Sequence, residues 1–256
     1  MVVAIIVGAG EGRRMGSTGG RKQFTKISGK PLIAYTLEPF EKSQLIDHMV
    51  LVVPPDSIDW VREEIVGQYR LKKVREIVAG GETRQQSVWN GLNVVSNNTE
   101  KVVIHDAVRP FVNETLIKRV IDASRKTGAA ITAVPVKDTV KQVESGEVVG
   151  TLDRRLLWLA QTPQCFDYQI IVEAHKMAAR EKIEATDDAS LVEKYGAKVA
   201  VAVGSYANLK VTSPEDLPLL EYFLRQDRRI RLEQPTTRQR RTQVRSRARR
   251  RRSKRK

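Results

Sequence analysis

The sequence opens with VVAIIVGAGEGRRMG at residues 2–16, and this stretch decides the fold. Its first six residues, Val2–Val7, are all apolar, which is the pattern of a strand buried on both faces of a parallel sheet. A glycine-rich turn follows directly, and glycine lets backbone N–H groups approach a ligand because no Cβ stands in the way. The stretch therefore predicts the first strand of an α/β sheet, followed by either an anion-binding turn or a solvated loop.

Apolar runs and stretches with helical spacing alternate along the rest of the chain. Further strands are predicted at residues 49–53, 74–78, 102–104, 130–134, 199–203 and 209–211. Helices are predicted after Pro31, at residues 61–69, 84–95, 114–126 and 189–195, and from Pro214 onward. This alternation predicts an α/β fold that is Rossmann-like and doubly wound, with a mostly parallel sheet.

Residues 139–158 interrupt the alternation. Two short alternating runs, 140–143 and 147–149, flank Glu144-Ser145-Gly146, which is the pattern of a β-hairpin with a glycine turn. A hairpin inserted in an α/β domain either caps the sheet or reaches a partner subunit. The pattern alone favours the cap.

The charge of the chain is concentrated at its end. The 256 residues carry a formal net charge of +15, but residues 225–256 hold 16 of the 45 basic residues and only two acidic ones. From about Gln234 the sequence has almost no apolar residue, so it cannot bury enough surface to offset its ordering entropy. We expect a folded domain over residues 1–231 and a disordered Arg-rich tail over residues 232–256.

Several classes of protein are disfavoured by composition. A single cysteine, Cys165, excludes an internal disulfide and a thiolate metal cage, and three histidines argue against a multi-histidine metal site. No segment approaches the roughly 18 continuous apolar residues that a membrane span needs. The chain opens on its first strand without a basic leader or a cleavage site, so the expected location is cytoplasmic, with no membrane partner.

The two common nucleotide-binding motifs do not fit the glycine-rich turn. A dinucleotide loop requires glycine or alanine where this chain has Arg13. A Walker P-loop requires Gly-Lys-Ser/Thr, but Gly29-Lys30 is followed by Pro31. The turn instead offers positive charge, because Arg13, Arg14, Arg21 and Lys22 lie within ten residues. Cations around a glycine-rich turn suit a triphosphate, and surface arginines on a solvated loop would give the same pattern.

A second polar cluster, HDAVRP at residues 105–110, directly follows a predicted strand. Ligands of open α/β sheets bind beyond the carboxyl ends of the strands. Asp106 is therefore a candidate to hold a metal or a hydroxyl, and Arg109 is a candidate to clamp an anion. His105 is equally well explained as a packing residue.

These motifs occur in the order found in one family. The turn at residues 8–16 is followed by KQF at 22–24, GGETRQQS at 80–87, HDAVRP at 105–110, PVKDT at 135–139, TPQ at 162–164 and KVT at 210–212. Over about residues 1–224 the chain resembles the 2-C-methyl-D-erythritol 4-phosphate cytidylyltransferases of the non-mevalonate isoprenoid pathway. The ribitol-5-phosphate cytidylyltransferases share much of this pattern and stay the nearest alternative.

The resemblance implies a homodimeric Mg²⁺-dependent (or other divalent cation-dependent) transferase that moves CMP from CTP to a sugar-alcohol phosphate. It implies that Arg14 and Lys22 act at the α-phosphate. CTP contacts are implied for Ala9, Gly10, Glu11, Gly12, Gly81, Glu82 and Ser87. Acceptor contacts are implied for Asp106, Arg109, Thr139, Arg154, Thr186 and Lys210, and Asp106 is also implied near the metal.

The resemblance also changes the interpretation of the hairpin. Thr139 and Arg154 match positions on an arm, here about residues 138–158, that crosses to the partner subunit and completes the neighbouring site. The Arg-rich tail lies outside the resemblance. A protein that binds nucleic acid nonspecifically through this tail is the alternative from another functional class.

Overall fold

The structure, a computed structural model, describes residues 1–10 and 21–233 of the chain, and describes side chains in that part up to residue 224. The chain divides into two compact units, Met1–Pro214 and Glu215–Lys256. The domain limits expected from the sequence, 1–231 and 232–256, stay a prediction, as does disorder in the tail.

The first unit is built on strands that alternate with helices. The strands are β1 Val2–Val7, β2 Lys26–Ile27, β3 Lys30–Pro31, β4 His48–Val53, β5 Val74–Ala79, β6 Lys101–Asp106, β7 Ala129–Pro135, β8 Lys141–Glu144, β9 Glu147–Thr151, β10 Trp158–Asp167 and β11 Ala200–Val203. The helices are α1 Leu32–Lys42, α2 Ile58–Trp60 with its π-helical continuation Val61–Gly67, α3 Arg84–Asn93, α4 Glu114–Thr127, α5 Tyr168–Glu181 and α6 Asp188–Lys194. The second unit contains α7, Asp216–Glu233.

Seven strands form one sheet in the order β11-β7-β10-β6-β1-β4-β5. β1 runs parallel to both β4 and β6, β4 runs parallel to β5, and β11 runs parallel to β7. β10 alone among these seven is antiparallel to its neighbours, β6 and β7. The sheet is therefore mostly parallel, as the sequence predicts.

Both faces of the sheet are covered by helices. Ala4 and Ile6 of β1 pack on the face covered by α1, by the stretch Val61–Gly67 and by α4. Val3 and Ile5 point to the opposite face, where α3, α5 and α6 lie. Because successive residues of a strand point to opposite faces, an all-apolar strand such as β1 supplies both cores at once. The doubly wound α/β prediction is confirmed.

Several segments differ from the sequence-based prediction, which did not include helix α5 or the short strands β2 and β3. Residues 209–211 do not form a strand; the N–H of Val211 donates to the carbonyl of Val108 at 2.9 Å, in a connection that crosses the end of β6. The run is too short to add a ladder of its own. β10 was not predicted, because Gln161, Thr162, Pro163 and Gln164 break its apolar pattern.

The predicted hairpin is present as β8 and β9. Its turn places both Ser145 and Gly146 at positive φ, which matches the right-handed twist of two paired strands. Val143 and Val148 are 55% and 61% exposed, so the hairpin does not cap the sheet. Its role as a dimerisation arm stays a prediction.

Capping residues fix the ends of helices α4 and α6. The side chain of Asn113 accepts from the N–H of Leu116 at the start of α4, and Gly128 ends that helix in the left-handed conformation. The side chain of Asp187 accepts from the N–H of Ser190 at the start of α6. None of the helices in the described ranges is long and apolar enough to cross a lipid bilayer.

Candidate active site

A pocket of about 860 Å³ lies at the carboxyl ends of β1, β4, β5 and β6. β1 lies between β4 and β6 in the sheet. The chain continues from β1 to β4 on one side and later returns to β6 on the other side. This change of side is the topological switch point, where open α/β sheets bind ligands. The residues that line the pocket are Val7, Gly8, Ala9, Gly10, Arg21, Lys22, Gln23, Pro54, Pro55, Gly80, Gly81, Glu82, Thr83, Arg84, Ser87, Asp106, Val108 and Lys210.

The turn after β1 forms one wall of this pocket, and it packs tightly against the turn after β5. A Cβ added to Gly80 would lie 2.1 Å from the Cβ of Ala9, so only glycine fits there. The N–H of Gly8 donates to the carbonyl of Val52 at 2.7 Å, and the N–H of Gly80 donates to that of Val53 at 2.8 Å. Both turns are thereby tied to the end of β4.

Lys22 enters the pocket from a single 3-10 turn, Lys22–Phe24. The next residue, Gln23, is buried, and its amide donates to the carbonyls of Gly8 at 2.7 Å and Gly10 at 3.2 Å. Sequence reasoning did not identify Gln23, although it stands inside the KQF motif. Its amide holds the lysine-bearing turn against the glycine-rich turn.

The wall opposite is the start of α3. Thr83 caps the helix and forms a capping box with Gln86. The hydroxyl of Ser87 accepts from the N–H of Gly81 at 3.1 Å and donates to the carbonyl of Thr83 at 2.9 Å. Ser87 therefore shapes the turn that carries Gly81 and Glu82 along the pocket.

Asp106 lies at the end of β6, directly beside Val7, and gathers three cations. Its carboxylate lies 2.9 Å from Lys210 Nζ, 3.2 Å from Arg84 Nε and 3.4 Å from Arg109 Nε. Burial alone would raise the pKa of Asp106, but attraction to Arg84, Lys210 and Arg109 outweighs it and holds the pKa well below its usual range. Asp106 is therefore ionised, and it keeps these cations together at the pocket.

Arg84 is the main residue that sequence reasoning missed. Its guanidinium bridges Asp106 and Asp188, the latter at 2.7 Å. The capping box was the available signal, because a Thr-x-x-Gln pattern at residues 83–86 places Arg84 in the first turn of a helix. The partner Asp188, far away in the sequence, had no local signal.

His105 is a neutral packing residue. Burial lowers its pKa to about 4. Its Nε2 lies 3.1 Å from the carbonyl of Arg109, and its Nδ1 lies 3.0 Å from the hydroxyl of Thr162, which also accepts from the N–H of Asp106 at 3.1 Å. The ring supports the turn that carries Asp106 and Arg109, and it does not reach the pocket wall.

The structure brings most of the predicted site residues together. Those lining the pocket are Ala9, Gly10, Lys22, Gly81, Glu82, Ser87, Asp106 and Lys210. Arg109 stands behind them, where its Nη1 donates to the carbonyl of Asn208 at 2.9 Å. Thr186, Thr139 and Arg154 do not line it, and Arg154 Nη1 donates to the carbonyl of Lys137 at 2.7 Å. Glu11, Gly12 and Arg14 lie outside the described residues.

The predicted metal ligand, Asp106, is a single carboxylate. Within residues 1–10 and 21–233, no group of three or more His, Cys, Asp or Glu side chains is placed to hold a metal ion. Mg²⁺ is commonly bound by one or two carboxylates together with substrate phosphates and water. One carboxylate among cationic side chains therefore fits a Mg²⁺ ion only where a phosphorylated substrate supplies most of its ligands.

Several known proteins are similar to this chain in sequence. A family model described as "IspD: 2-C-methyl-D-erythritol 4-phosphate cytidylyltransferase" matches residues 2–226. A protein of that name from Syntrophus aciditrophicus is 51% identical over 227 residues, which are 88% of this chain and 97% of the relative. Another from Geobacter metallireducens is 46% identical over 228 residues, 88% of this chain and 98% of the relative.

Solved structures agree with these sequence matches. The 4-diphosphocytidyl-2C-methyl-D-erythritol synthase of Anaerococcus prevotii superposes with a TM-score of 0.77 at 33% identity, covering 88% of this chain and 98% of that one. The 2-C-methyl-D-erythritol 4-phosphate cytidylyltransferase of Thermus thermophilus superposes with a TM-score of 0.72 at 33% identity, covering 86% of this chain and 98% of that one.

Proposed function

Since the chain belongs to the 2-C-methyl-D-erythritol 4-phosphate cytidylyltransferase family, we propose that it transfers CMP from CTP to 2-C-methyl-D-erythritol 4-phosphate. The products are 4-diphosphocytidyl-2-C-methyl-D-erythritol and pyrophosphate. The observation that carries the proposal is the pocket at the strand ends, where a glycine-rich turn and Lys22 face Asp106 and Lys210. Such a pocket suits two phosphorylated substrates, because it offers close backbone approach and cations together.

The reaction is an in-line displacement at the α-phosphorus of CTP. A phosphate oxygen of the acceptor forms a bond to that phosphorus while the bond to the bridging oxygen of pyrophosphate breaks, and pyrophosphate leaves with the electron pair. The protein needs no nucleophile of its own, so its work is positioning and charge stabilisation. The cations Arg14 and Lys22 offset the repulsion between the two phosphates.

CTP occupies the side of the pocket formed by the turns after β1 and β5. Ala9, Gly10, Glu11 and Gly12 surround the triphosphate, and Gly81, Glu82 and Ser87 hold the cytosine and the ribose. The contact between Gly80 and Ala9 supports this division, because it brings the two turns against each other. The acceptor occupies the side lined by Asp106 and Lys210. Its contacts with Arg109 and Thr186, which do not line the pocket, are part of the same proposal.

In the part of the chain that the structure describes, few side chains at the pocket could bind a divalent cation. Asp106 is the residue that would hold Mg²⁺ beside the substrate phosphates, and the ion would supply further neutralisation of the triphosphate charge. Lys22 and Lys210 approach the same space from the pocket walls, which supports a site whose positive charge is shared between protein and ion.

A homodimer completes each site in this proposal. The arm of one protomer, about residues 138–158, crosses to the partner and brings Thr139 and Arg154 to the partner's pocket. The exposure of Val143 and Val148, together with Leu156 at 80%, supports an apolar surface that a second copy would cover. Cytoplasmic location stays a prediction.

The deciding experiment is pyrophosphate release from CTP and Mg²⁺, with methylerythritol phosphate and ribitol 5-phosphate tested separately. We expect release with the first acceptor and much less with the second; the reverse would move the chain to the ribitol-5-phosphate enzymes. Lys22→Ala should lower turnover far more than CTP binding. Lys26→Ala, a change at an exposed lysine on β2 outside the pocket, is the matched control and should leave turnover unchanged.

The tail motivates a second function of another class. Its charge, 16 basic against two acidic residues over 225–256, suits nonspecific binding to RNA or DNA. That function predicts salt-sensitive retention of nucleic acid that is lost when residues 234–256 are deleted. The same deletion should leave pyrophosphate release intact, so the two functions separate in one variant.

A further inference from the structure

The residue before Lys22 is held by an ion pair to a different part of the fold. Arg21 Nη1 lies 2.6 Å from Asp56 Oδ1, and Nη2 lies 2.9 Å from Asp56 Oδ2, so the guanidinium engages both oxygens of the carboxylate. Nη1 also lies 2.6 Å from the hydroxyl of Ser57. A two-point Arg–carboxylate contact fixes direction as well as distance. Asp56 and Ser57 belong to the turn that follows β4.

The two residues after Lys22 are anchored as well, each to another element. Gln23 donates to the carbonyls of Gly8 and Gly10 in the turn after β1. The ring of Phe24 packs against that of Trp60, at the end of α2, with centroids 4.8 Å apart. Lys22 therefore stands in a single turn whose other three positions are tied to three separate points of the structure.

We propose that Arg21 and Asp56 form a clamp that positions Lys22 for the transfer reaction. The hydrogen bond from the N–H of Phe24 to the carbonyl of Arg21, at 2.9 Å, makes Arg21 the first residue of the turn that presents Lys22. Holding its side chain against Asp56 sets where that turn begins. This inference rests on the proposed function, since it gives Arg21 a role only if Lys22 acts on CTP.

A direct role in phosphate binding is the competing explanation, because Arg21 also lines the pocket. Its pair with Asp56 is partly exposed, at 31% and 68% of the two side chains, so it contributes little to stability. The guanidinium charge is balanced by a carboxylate that does not line the pocket. These facts favour positioning, and they make Asp56 the informative residue, since it touches the reaction only through Arg21.

The test is a pair of double-mutant cycles, read as kcat and as KM for CTP. Arg21→Ala and Asp56→Ala should each lower kcat roughly tenfold, because a misplaced catalytic group slows the reaction far more than it weakens binding. KM for CTP should change less than about twofold. The double variant should be no slower than either single one, because both changes release the same clamp.

The second cycle asks whether the clamp acts through Lys22. In a Lys22→Ala background, Asp56→Ala should produce no further loss of kcat. Arg62→Ala and Asp59→Ala are the control variants, because they remove an ion pair on the neighbouring helical segment whose N–O distance is also 2.6 Å. Both variants should match the wild type in kcat and in KM for CTP. Asp56→Asn replaces Asp56→Ala if the alanine variant folds poorly.

Each remaining result overturns the inference in a recognisable way. If Arg21→Ala raises KM for CTP while Asp56→Ala behaves as the wild type, Arg21 is a phosphate ligand. If both variants match the wild type, the clamp has no role. If the wild type releases no pyrophosphate, or Lys22→Ala retains full turnover, the proposed function or the role of Lys22 has failed as well.

Discussion

Arg84 Nη1 lies 2.7 Å from Asp188 Oδ2, and this contact joins two helices whose first residues are 104 positions apart in the sequence. The same guanidinium reaches Asp106 through its Nε. The side chains of Asp106 and Asp188 are only 7% and 1% exposed, so Arg84 neutralises two carboxylates that water barely reaches. The pocket and the start of α6 are therefore coupled through one side chain.

We predict that Arg84→Ala destabilises the fold as well as the pocket. Removing Arg84 takes the guanidinium away from the buried Asp188 and leaves Asp106 with Lys210 and Arg109, which costs about 3 kcal/mol in the free energy of unfolding. Urea unfolding measures this loss. Arg84→Lys should recover only part of it, because an ammonium cannot span both carboxylates as the planar guanidinium does. If Arg84→Lys has the same free energy of unfolding as the wild type, a positive charge is sufficient for this stability and the bridge between the two carboxylates is not needed.

Protonation of His105 should weaken the fold in acid. Burial lowers its pKa from 6.5 to about 4 in the folded chain, so the unfolded chain binds the proton more readily between these values. The contribution of neutral His105 to the free energy of unfolding is fully present above pH 6.5. It falls as the pH drops toward 4, by at most about 1.4 kcal/mol per pH unit. His105→Gln should flatten this part of the stability curve in urea unfolding. An unchanged slope would contradict the assignment.

Cys165 should be inert in the native protein. Burial raises the pKa of its thiol to about 11, and it contacts the hydroxyl of Ser124 at 3.3 Å in the core. Native protein should not react with a thiol reagent at mildly alkaline pH, whereas protein unfolded in urea should react with one equivalent of the reagent. Lys126→Cys, at an exposed position of α4, gives a reactive control. Fast labelling of the native wild type would contradict this prediction.

The arm proposal predicts rescue between two inactive variants. Lys22→Ala and Arg154→Ala damage different protomers' contributions to one site, so a hybrid dimer retains one intact site. An equal mixture should recover about a quarter of the wild-type activity after subunit exchange, because half of the dimers are hybrids. Each variant incubated alone is the control. Exchange without rescue would mean that each chain builds its own site.

The sequence predicts the sheet well because most of its strands are buried on both faces. β1, β4 and β7 consist mainly of apolar residues, as does the centre of β6 at residues 102–104, and no local feature competes with that signal. β10 escaped prediction because Gln161, Thr162 and Gln164 interrupt its apolar pattern. Thr162 supports the turn that carries Asp106, because its hydroxyl contacts both His105 and the N–H of Asp106.

The site could be predicted only in part, for a different reason. Glycine-rich turns and charged clusters after strands mark the rim of a sheet from sequence alone, which is how Lys22 and Asp106 were identified. Which charges meet is decided by folding over long separations. The pairing of Arg84 with Asp188, and of Arg21 with Asp56, leaves no trace in the local pattern, so neither could be predicted.

Asp106 gives the empty pocket an anion of its own. Three cations with no ligand would repel one another and drift toward water, but the carboxylate keeps Lys210, Arg84 and Arg109 assembled before any substrate arrives. An incoming phosphate therefore meets cations that are already assembled, and it must compete with the Asp106 carboxylate for them. A phosphate monoester, which carries nearly two negative charges at neutral pH, wins that exchange more readily than a singly charged carboxylate metabolite.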